Sequence, residues 1–325
     1  MHYAWRSVEA PFYYLRAKKI LCRYTKHYHE AQRIFRKRGK AERGGVRFLT
    51  DVGVHVVFPE SKGQIIDLPH NYLELIQCVS QDAKSFLDRS AQCSFFPDLP
   101  AGPISERVED IPAVKNGEII SVQLKNPFEV AGLEELCCPI MQELEQKIYG
   151  SYVIVDKVYV YRNTVSRQIP TESWLWHYDN HPHEVLKVLI YLTDVTETSA
   201  PFEYLRCTKS LKPVHGSPLT PLYGHSRVAQ SAVARYFASG FESHKVTGPK
   251  GTMILFDNNV THRANLASEH CRDVVIFQVR PATFSAQRDH RAFRSSPWLT
   301  VNSPVWPQNP RDFKPSSHRP KYFYW

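Results

Sequence analysis

The sequence feature that most constrains the fold is a short apolar run at residues 185–192, VLKVLIYL. The run is rich in leucine and β-branched residues, with Pro182 before it and the polar pair Thr193-Asp194 after it. An apolar run with these boundaries is typical of a strand that is buried in a sheet. It therefore predicts a β-rich domain in which residues 185–192 form a core strand.

Directly before this run lie four side chains that can bind a divalent metal: His177, Asp179, His181 and His183. Residues two apart in an extended chain point to the same face, so His177 and Asp179 can present an imidazole and a carboxylate to one cavity. His181 and His183 share that face only if the chain runs straight through Pro182, so we expect them to be neighbours of the site and not ligands. This stretch supplies half of a metal site.

The second half lies further along the chain. Residues 251–257, GTMILFD, predict a strand that leads to His262, and Arg272 opens another predicted strand at residues 273–279. Two histidines and one carboxylate on β-strands form the facial triad of non-haem Fe(II) oxygenases, which leaves coordination positions open for a co-substrate and dioxygen. A guanidinium at the base of such a pocket can form a bidentate pair with a carboxylate of the co-substrate.

In these residues the chain resembles the phytanoyl-CoA dioxygenase-like branch of the Fe(II)/2-oxoglutarate oxygenases. The likeness is carried by His177-x-Asp179, by His262 some 85 residues later and by Arg272 at a strand start, and it covers roughly residues 125–282. The resemblance implies a mainly β fold with helical support, built on a double-stranded β-helix (jelly-roll) core like the cupin barrel. It implies that His177, Asp179 and His262 bind Fe(II), and that Arg272 binds the distal carboxylate of 2-oxoglutarate.

The resemblance also implies a reaction. Dioxygen and 2-oxoglutarate would be consumed as co-substrates, succinate and CO2 would be produced, and an unactivated C–H bond of a small or medium organic molecule would be hydroxylated. Because the carboxylate Asp179 is kept, hydroxylation is expected and not halogenation. The chain departs from the family at residues 198–210, where relatives have an Asn-Gly turn and Pro-Gly-Ser-His, and at Ala264, where some relatives have a hydroxyl.

Several side chains near the motif have two interpretations. Tyr161 and Asn163, on the strand that precedes the motif, either contact 2-oxoglutarate or serve packing and strand-edge hydrogen bonds. Lys187 shares a strand face with Leu189 and Tyr191, and it either reaches a carboxylate or forms an ion pair at the strand entrance. The tryptophans Trp174 and Trp176 are expected to wall the pocket.

The remaining sequence divides into segments around this core. We predict a basic helical extension at 1–45, a mixed region with supporting helices at 46–150, the catalytic core at 151–282 and a Pro-, Ser- and aromatic-rich tail at 283–325. In the mixed region a strand with a bend at Gly53 is expected. One helix is expected at 69–89, with Leu73, Leu75, Ile76, Val79 and Phe86 on its apolar side. A second is expected to begin at Asn126-Pro127 and to end at Gly150. Residues 225–245 are expected to form a helix or a lid.

The positive charge lies at the two ends of the chain. Residues 1–50 hold 13 Lys or Arg against 3 Asp or Glu, whereas residues 51–282 hold 21 against 27. The body is therefore acidic, which argues against nucleic acid as the partner. Residues 12–38 have an apolar stripe at helical period and basic residues on the other faces. This helix could pack on the domain or on a second copy in an oligomer, contact a membrane or polyanion, or serve as a targeting presequence.

Cysteine usage and hydropathy bear on location and on the competing function. The seven cysteines form no C-x-x-C pair and are odd in number, which favours free thiols in a reducing compartment; we therefore expect a cytoplasmic protein. No apolar run reaches the length of a membrane-spanning helix.

A small-molecule substrate is expected, and the alternative function is a non-catalytic jelly-roll protein that keeps a metal for recognition.

Overall fold

A computed structural model shows that the strands it describes pair with one another in antiparallel fashion. The structure describes residues 22, 25–37, 53–60, 65–99, 104–179, 184–216 and 227–283. Within them the strands are β1 (Val54–Val57), β2 (Cys93–Phe96), β3 (Ser121–Leu124), β4 (Tyr152–Asn163), β5 (Leu186–Tyr191), β6 (Phe202–Cys207), β7 (Phe241–Val246), β8 (Met253–Asp257), β9 (His262–Ala264) and β10 (Arg272–Ala282). The helices are α1 (25–37), α2 (Tyr72–Leu87), α3 (Pro112–Lys115), α4 (Leu133–Glu143) and α5 (Gln230–Ala238).

These strands form two sheets. Seven of them make one sheet in the order β1-β8-β5-β10-β4-β3-β2, and the other three make a sheet in the order β7-β6-β9. The predicted core strand is therefore β5, and it lies between β8 and β10 near the middle of the large sheet. The fold is mostly β with antiparallel sheets and a few helices, as expected from the sequence.

The large sheet is covered on both faces, which explains why its central strands are continuously apolar. On β5, Val188 and Ile190 face the helices and belong to a large cluster with residues of α2 and α4. The alternate residues Leu189 and Tyr191 face the small sheet and belong to a second cluster that includes Phe202 of β6. The two sheets therefore face each other across a separate apolar layer, and the helices lie on the outside.

The helical layer confirms some sequence predictions and corrects others. The helix predicted at 69–89 is α2, but Leu73 is half exposed; the buried face is formed by Tyr72, Ile76, Val79, Ala83 and Leu87. The predicted helix start at Asn126 is wrong. The Asn126 side chain caps only a 3-10 turn, and Gly132 then takes a left-handed conformation before α4 begins. Gly150, also left-handed, ends this helical region after a π-helical turn, as predicted.

Two other expectations are partly covered by the described residues. Gly53 has a φ of +55° and directly precedes β1, in line with the predicted bend. The segment predicted as a helix or lid contains α5 followed by β7. The tail beyond 283, the residues upstream of 22 and the pair His181 and His183 lie outside the described residues.

Helix α1 packs against the body of the protein through its predicted apolar stripe. Tyr28, Ala31 and Phe35 are buried, and the Phe35 ring meets the Tyr152 ring edge-on at 5.0 Å between centroids. The Tyr28 hydroxyl and the Gln32 amide both donate to the Tyr149 carbonyl, at 2.8 and 3.0 Å. Packing of this helix on the domain is therefore observed for residues 25–37. Its basic side chains remain exposed, so contact with a polyanion or membrane stays a prediction.

We expect Phe35→Ala to lower the free energy of unfolding by about 3 kcal/mol, because it empties the contact between α1 and Tyr152. Urea denaturation followed by tryptophan fluorescence would measure the loss. The exposed neighbour Arg36 provides the control, since Arg36→Ala should change stability by less than about 0.5 kcal/mol. Equal stability of the two variants would contradict the docking of α1.

Two further observations concern the described residues as a whole. All seven cysteines lie among them, and all are free thiols. Within the same ranges no helix is both long and apolar enough to cross a membrane.

Candidate metal centre and cavity

The structure brings together the three residues predicted to form a metal triad. One ligand atom from each of His177, Asp179 and His262 lies within 4.8 Å of the other two. The Nε2 atoms of both histidines are 3.9 Å from a carboxylate oxygen of Asp179. Two imidazoles and one carboxylate at this spacing could hold a divalent metal ion.

The main chain fixes the relative positions of the triad. His177 and His262 exchange two backbone hydrogen bonds, of 2.9 and 2.8 Å, as an isolated antiparallel pair. The Asp179 amide donates to the Asn258 carbonyl, in the turn between β8 and β9, at 2.8 Å. The 85 residues that separate the two histidines in sequence are thus closed by direct pairing of the two backbones.

Each histidine is also oriented by a carbonyl two residues before it. The Nδ1 atom of His177 lies 2.8 Å from the Leu175 carbonyl, and that of His262 lies 2.7 Å from the Val260 carbonyl. A carbonyl can only accept, so Nδ1 carries the proton and the lone pair of Nε2 points to the centre of the triad. This arrangement matches the tautomer that a metal ligand requires.

The protonation state of the histidines also suits a metal site. Burial, reinforced by the neighbouring His262, lowers the pKa of His177 to about 3. Burial lowers the pKa of His262 as well, against the opposing effect of Asp179. Both imidazoles are therefore neutral at physiological pH, which is the form that binds metal.

Lys187 of β5 adds a cation to this centre. Its ammonium lies 2.7 Å from Oδ2 of Asp179. Of the two interpretations of Lys187 from the sequence, the structure therefore shows an ion pair, and the partner is a residue of the triad.

A cavity of about 320 Å³ opens from the triad between the two sheets. Its walls contain every residue that the sequence assigned to iron or 2-oxoglutarate, including Tyr161, Asn163 and Arg272. Trp174 also lines the cavity, as predicted, and its ring stacks on that of Phe96 with centroids 5.4 Å apart. Trp176 does not line it; its ring lies 4.5 Å from the Arg263 guanidinium, and it packs with Leu205 and Val233.

The end of the cavity near Arg272 contains buried polar groups without partners. Arg272 is 1% exposed, and its Nε and Nη1 atoms have no hydrogen-bond partner within the described part of the chain. Asn163, which is opposite Arg272 in the β4–β10 register, has neither side-chain atom paired. Leaving such groups unpaired costs about 1–3 kcal/mol each, and more for a charge. Their placement indicates a site for an anionic ligand that accepts hydrogen bonds.

An ion pair on the opposite face of the sheet stabilises the pairing of Asn163 with Arg272. Arg162 forms a bidentate ion pair with Asp273 at 2.7 and 2.8 Å, and it also contacts Asp88, next to the end of α2, at 2.7 Å. Arg162 and Asp273 directly neighbour Asn163 and Arg272 and are themselves partners in the register. The ion pair thus holds the two unpaired groups face to face across the strands.

Ser121 and Gln123 on β3 and Tyr159 on β4 are among the residues of the cavity wall that sequence reasoning did not identify. The register pairs Ser121 with Asn163, and Gln123 with Tyr161. Strand β3 has four residues, which is too short for a clear alternation to be read from sequence. Tyr159 could have been found, because it is two residues before Tyr161 on a strand that was predicted.

The fold and the site define an antiparallel β protein with a histidine–aspartate–histidine centre in a cavity between two sheets. No protein-family model matches the sequence, and no curated protein sequence matches it. Among solved structures, the chain is similar to EctD from S. alaskensis with bound Fe, at 16% identity and a TM-score of 0.47 over 74% of this chain and 79% of that one. It is also similar to the non-haem alpha-ketoglutarate-dependent epimerase SnoN from nogalamycin biosynthesis, at 12% identity and a TM-score of 0.43 over 82% and 84%. A third similar structure is the carbocyclase SnoK from the same biosynthesis, at 12% identity and a TM-score of 0.44 over 74% and 84%.

Proposed function

We propose that the protein is an Fe(II)- and 2-oxoglutarate-dependent dioxygenase of the phytanoyl-CoA dioxygenase-like type, and that its two sheets form a jelly-roll core. Its reaction would hydroxylate an unactivated C–H bond of a small or medium organic molecule, with production of succinate and CO2. The observation that carries the proposal is that one cavity is lined by the triad and by Arg272, a buried arginine whose Nε and Nη1 have no partner among the described residues.

The two ends of the cavity, at the triad and at Arg272, could each bind a different part of one co-substrate. The histidine and carboxylate donors of the triad suit Fe(II), and three protein ligands leave positions for other molecules. The buried Arg272 favours an anion, because two nitrogen atoms of its guanidinium, Nε and Nη1, have no hydrogen-bond partner among the described residues. A dicarboxylate that also carries a keto group satisfies both ends, and 2-oxoglutarate is such a molecule.

The residues of this chain would perform binding, orientation and exclusion of water. When bound, iron would supply the activation of dioxygen, with 2-oxoglutarate as the source of two electrons. Arg272 and Asn163 would bind the distal carboxylate of 2-oxoglutarate, with Tyr161 beside them on β4. Phe202 and Phe256 contact His262, with ring centroids 5.4 and 5.1 Å away, and keep water from that side of the centre.

Anaerobic addition of Fe(II) and then 2-oxoglutarate tests the proposal. We expect a weak visible absorption band that needs both components, and succinate formation once oxygen is admitted. A thermal shift with Mn(II) should be enlarged by 2-oxoglutarate, because each ligand bound to the folded state adds stability. Stabilisation by metal alone, with no effect of 2-oxoglutarate and no succinate, would favour the alternative of a non-catalytic metal-binding protein.

A further inference from the structure

Lys187 is the charged residue of the cavity that the proposed binding of iron and 2-oxoglutarate does not use. It lies on the inward face of β5, on the same side as Leu189 and Tyr191. The Arg272 guanidinium lies 5.7 Å from the Tyr191 ring, at the other end of this strand face. Four residues of strand separate Lys187 from Tyr191, which is about 13 Å. The cavity thus has one cation at each end.

The charges of the described walls do not balance once the co-substrate is bound. The walls contain one carboxylate, Asp179, and two cations, Lys187 and Arg272, and histidine ligands bind metal as neutral imidazoles. A divalent metal adds two positive charges to this wall, and dianionic 2-oxoglutarate cancels two. One positive charge remains in the cavity, where it favours an anion.

The ammonium of Lys187 also has hydrogen-bonding capacity to spare. An ammonium carries three N–H donors, and among the described residues its one hydrogen bond goes to Asp179. The two carboxylates of 2-oxoglutarate are accounted for by Arg272 and by the metal. Next to Lys187 the wall is apolar, formed by Leu189, Phe202 and Phe256.

We propose that Lys187 determines substrate specificity by binding the anionic group of an organic monoanion, such as a carboxylate, whose apolar body lies against Phe202 and Phe256. This inference rests on the proposed function and names the class of its substrate. Lys187 keeps its contact with Asp179 through one N–H and offers the others to the substrate anion.

The test uses the full chain loaded with Mn(II) and 2-oxoglutarate, and small probes with a common skeleton. The probes are octanoate, octanamide and octylamine, together with phenylacetate, phenylacetamide and phenethylamine. The paramagnetic relaxation of the probe protons by Mn(II) in NMR spectra measures residence near the centre without any turnover. We expect the carboxylates to be relaxed at least tenfold more than the amides and the amines.

Variants of Lys187 assign this preference to one side chain. Lys187→Met should remove the preference for carboxylates, Lys187→Arg should keep it, and the exposed control Lys115→Met should leave it unchanged. Titrations of Mn(II) and of 2-oxoglutarate are run on each variant. Loss of the preference, with neither of those affinities weakened by more than threefold relative to the parent, supports the proposal.

Other results would overturn it and separate it from the proposed function. Three results would contradict the inference and leave the proposed function standing. They are equal relaxation of carboxylates and amides, no relaxation of any probe, and a preference for carboxylates that persists in Lys187→Met. A tenfold loss of 2-oxoglutarate or Mn(II) affinity in Lys187→Met would also overturn it, because Lys187 would then serve the co-substrate or the metal. If the parent chain binds neither Mn(II) nor 2-oxoglutarate, the proposed function itself fails.

Discussion

Replacing Arg272 with methionine should weaken 2-oxoglutarate binding by at least about 100-fold, or about 3 kcal/mol, while Mn(II) binding changes little. Methionine keeps an apolar side chain of similar length and removes the guanidinium that faces the cavity. Calorimetric titration of 2-oxoglutarate into Mn(II)-loaded protein would measure the loss. The matched control is Arg206→Met, which removes an arginine that pairs with Glu242 away from the cavity.

The Arg272→Met variant should also show an unusual effect on stability for a substitution at a buried position. Arg272 is buried, and two of its nitrogen atoms lack partners among the described residues, so the free protein bears part of the cost of burying that charge without compensation. We therefore expect Arg272→Met to keep or raise the melting temperature in the absence of ligands. A variant that melts much lower, or that binds 2-oxoglutarate within threefold of the parent, would show that Arg272 has a structural role.

Replacing His262 with alanine should lower Mn(II) affinity by on the order of 100-fold or more. Removal of a residue that merely orients a ligand already costs about 10–100-fold, so loss of a ligand should cost at least as much. Titration followed by electron paramagnetic resonance counts free Mn(II) directly. His177→Ala should give the same result, because the two Nε2 atoms have equivalent places in the triad.

The control for this pair is His270→Ala, at an exposed histidine between β9 and β10. It should bind Mn(II) with the affinity of the parent chain. If His262→Ala and His177→Ala also bound Mn(II) normally, the metal would have to lie elsewhere, and the segment with His181 and His183 would be the first place to look.

Much of the centre could be predicted from sequence because its parts are local. Alternation along an extended chain places His177 and Asp179 on one side, and the apolar run after them had to be a buried strand. Arg272 begins a strand whose inward residues follow the same alternation. Spacing alone could not show that the backbones of His177 and His262 pair directly, since that contact closes a loop of 85 residues.

The sequence predictions that were wrong or incomplete have a common physical reason. In each case the local sequence allows more than one structure, and contacts with distant residues determine which one forms. Asn126 has the chemistry of a helix cap, but Gly132 takes a left-handed conformation and delays α4. Leu73 matches the helical period, yet Tyr72 takes the buried position because its hydroxyl donates to the Gly251 carbonyl at 2.6 Å. The contribution of β3 to the cavity depends on its pairing with β4, which four residues of sequence do not reveal.

The backbone pairing of His177 with His262 affects which residues of the cavity can be substituted without moving the two imidazoles. The spacing of the two imidazoles is set by main-chain hydrogen bonds and by carbonyls of the same two segments. The side chains at Gln123 and Tyr159 contribute to the cavity wall without taking part in those bonds. Laboratory evolution could therefore reshape the wall for new molecules while the spacing of the triad is left undisturbed.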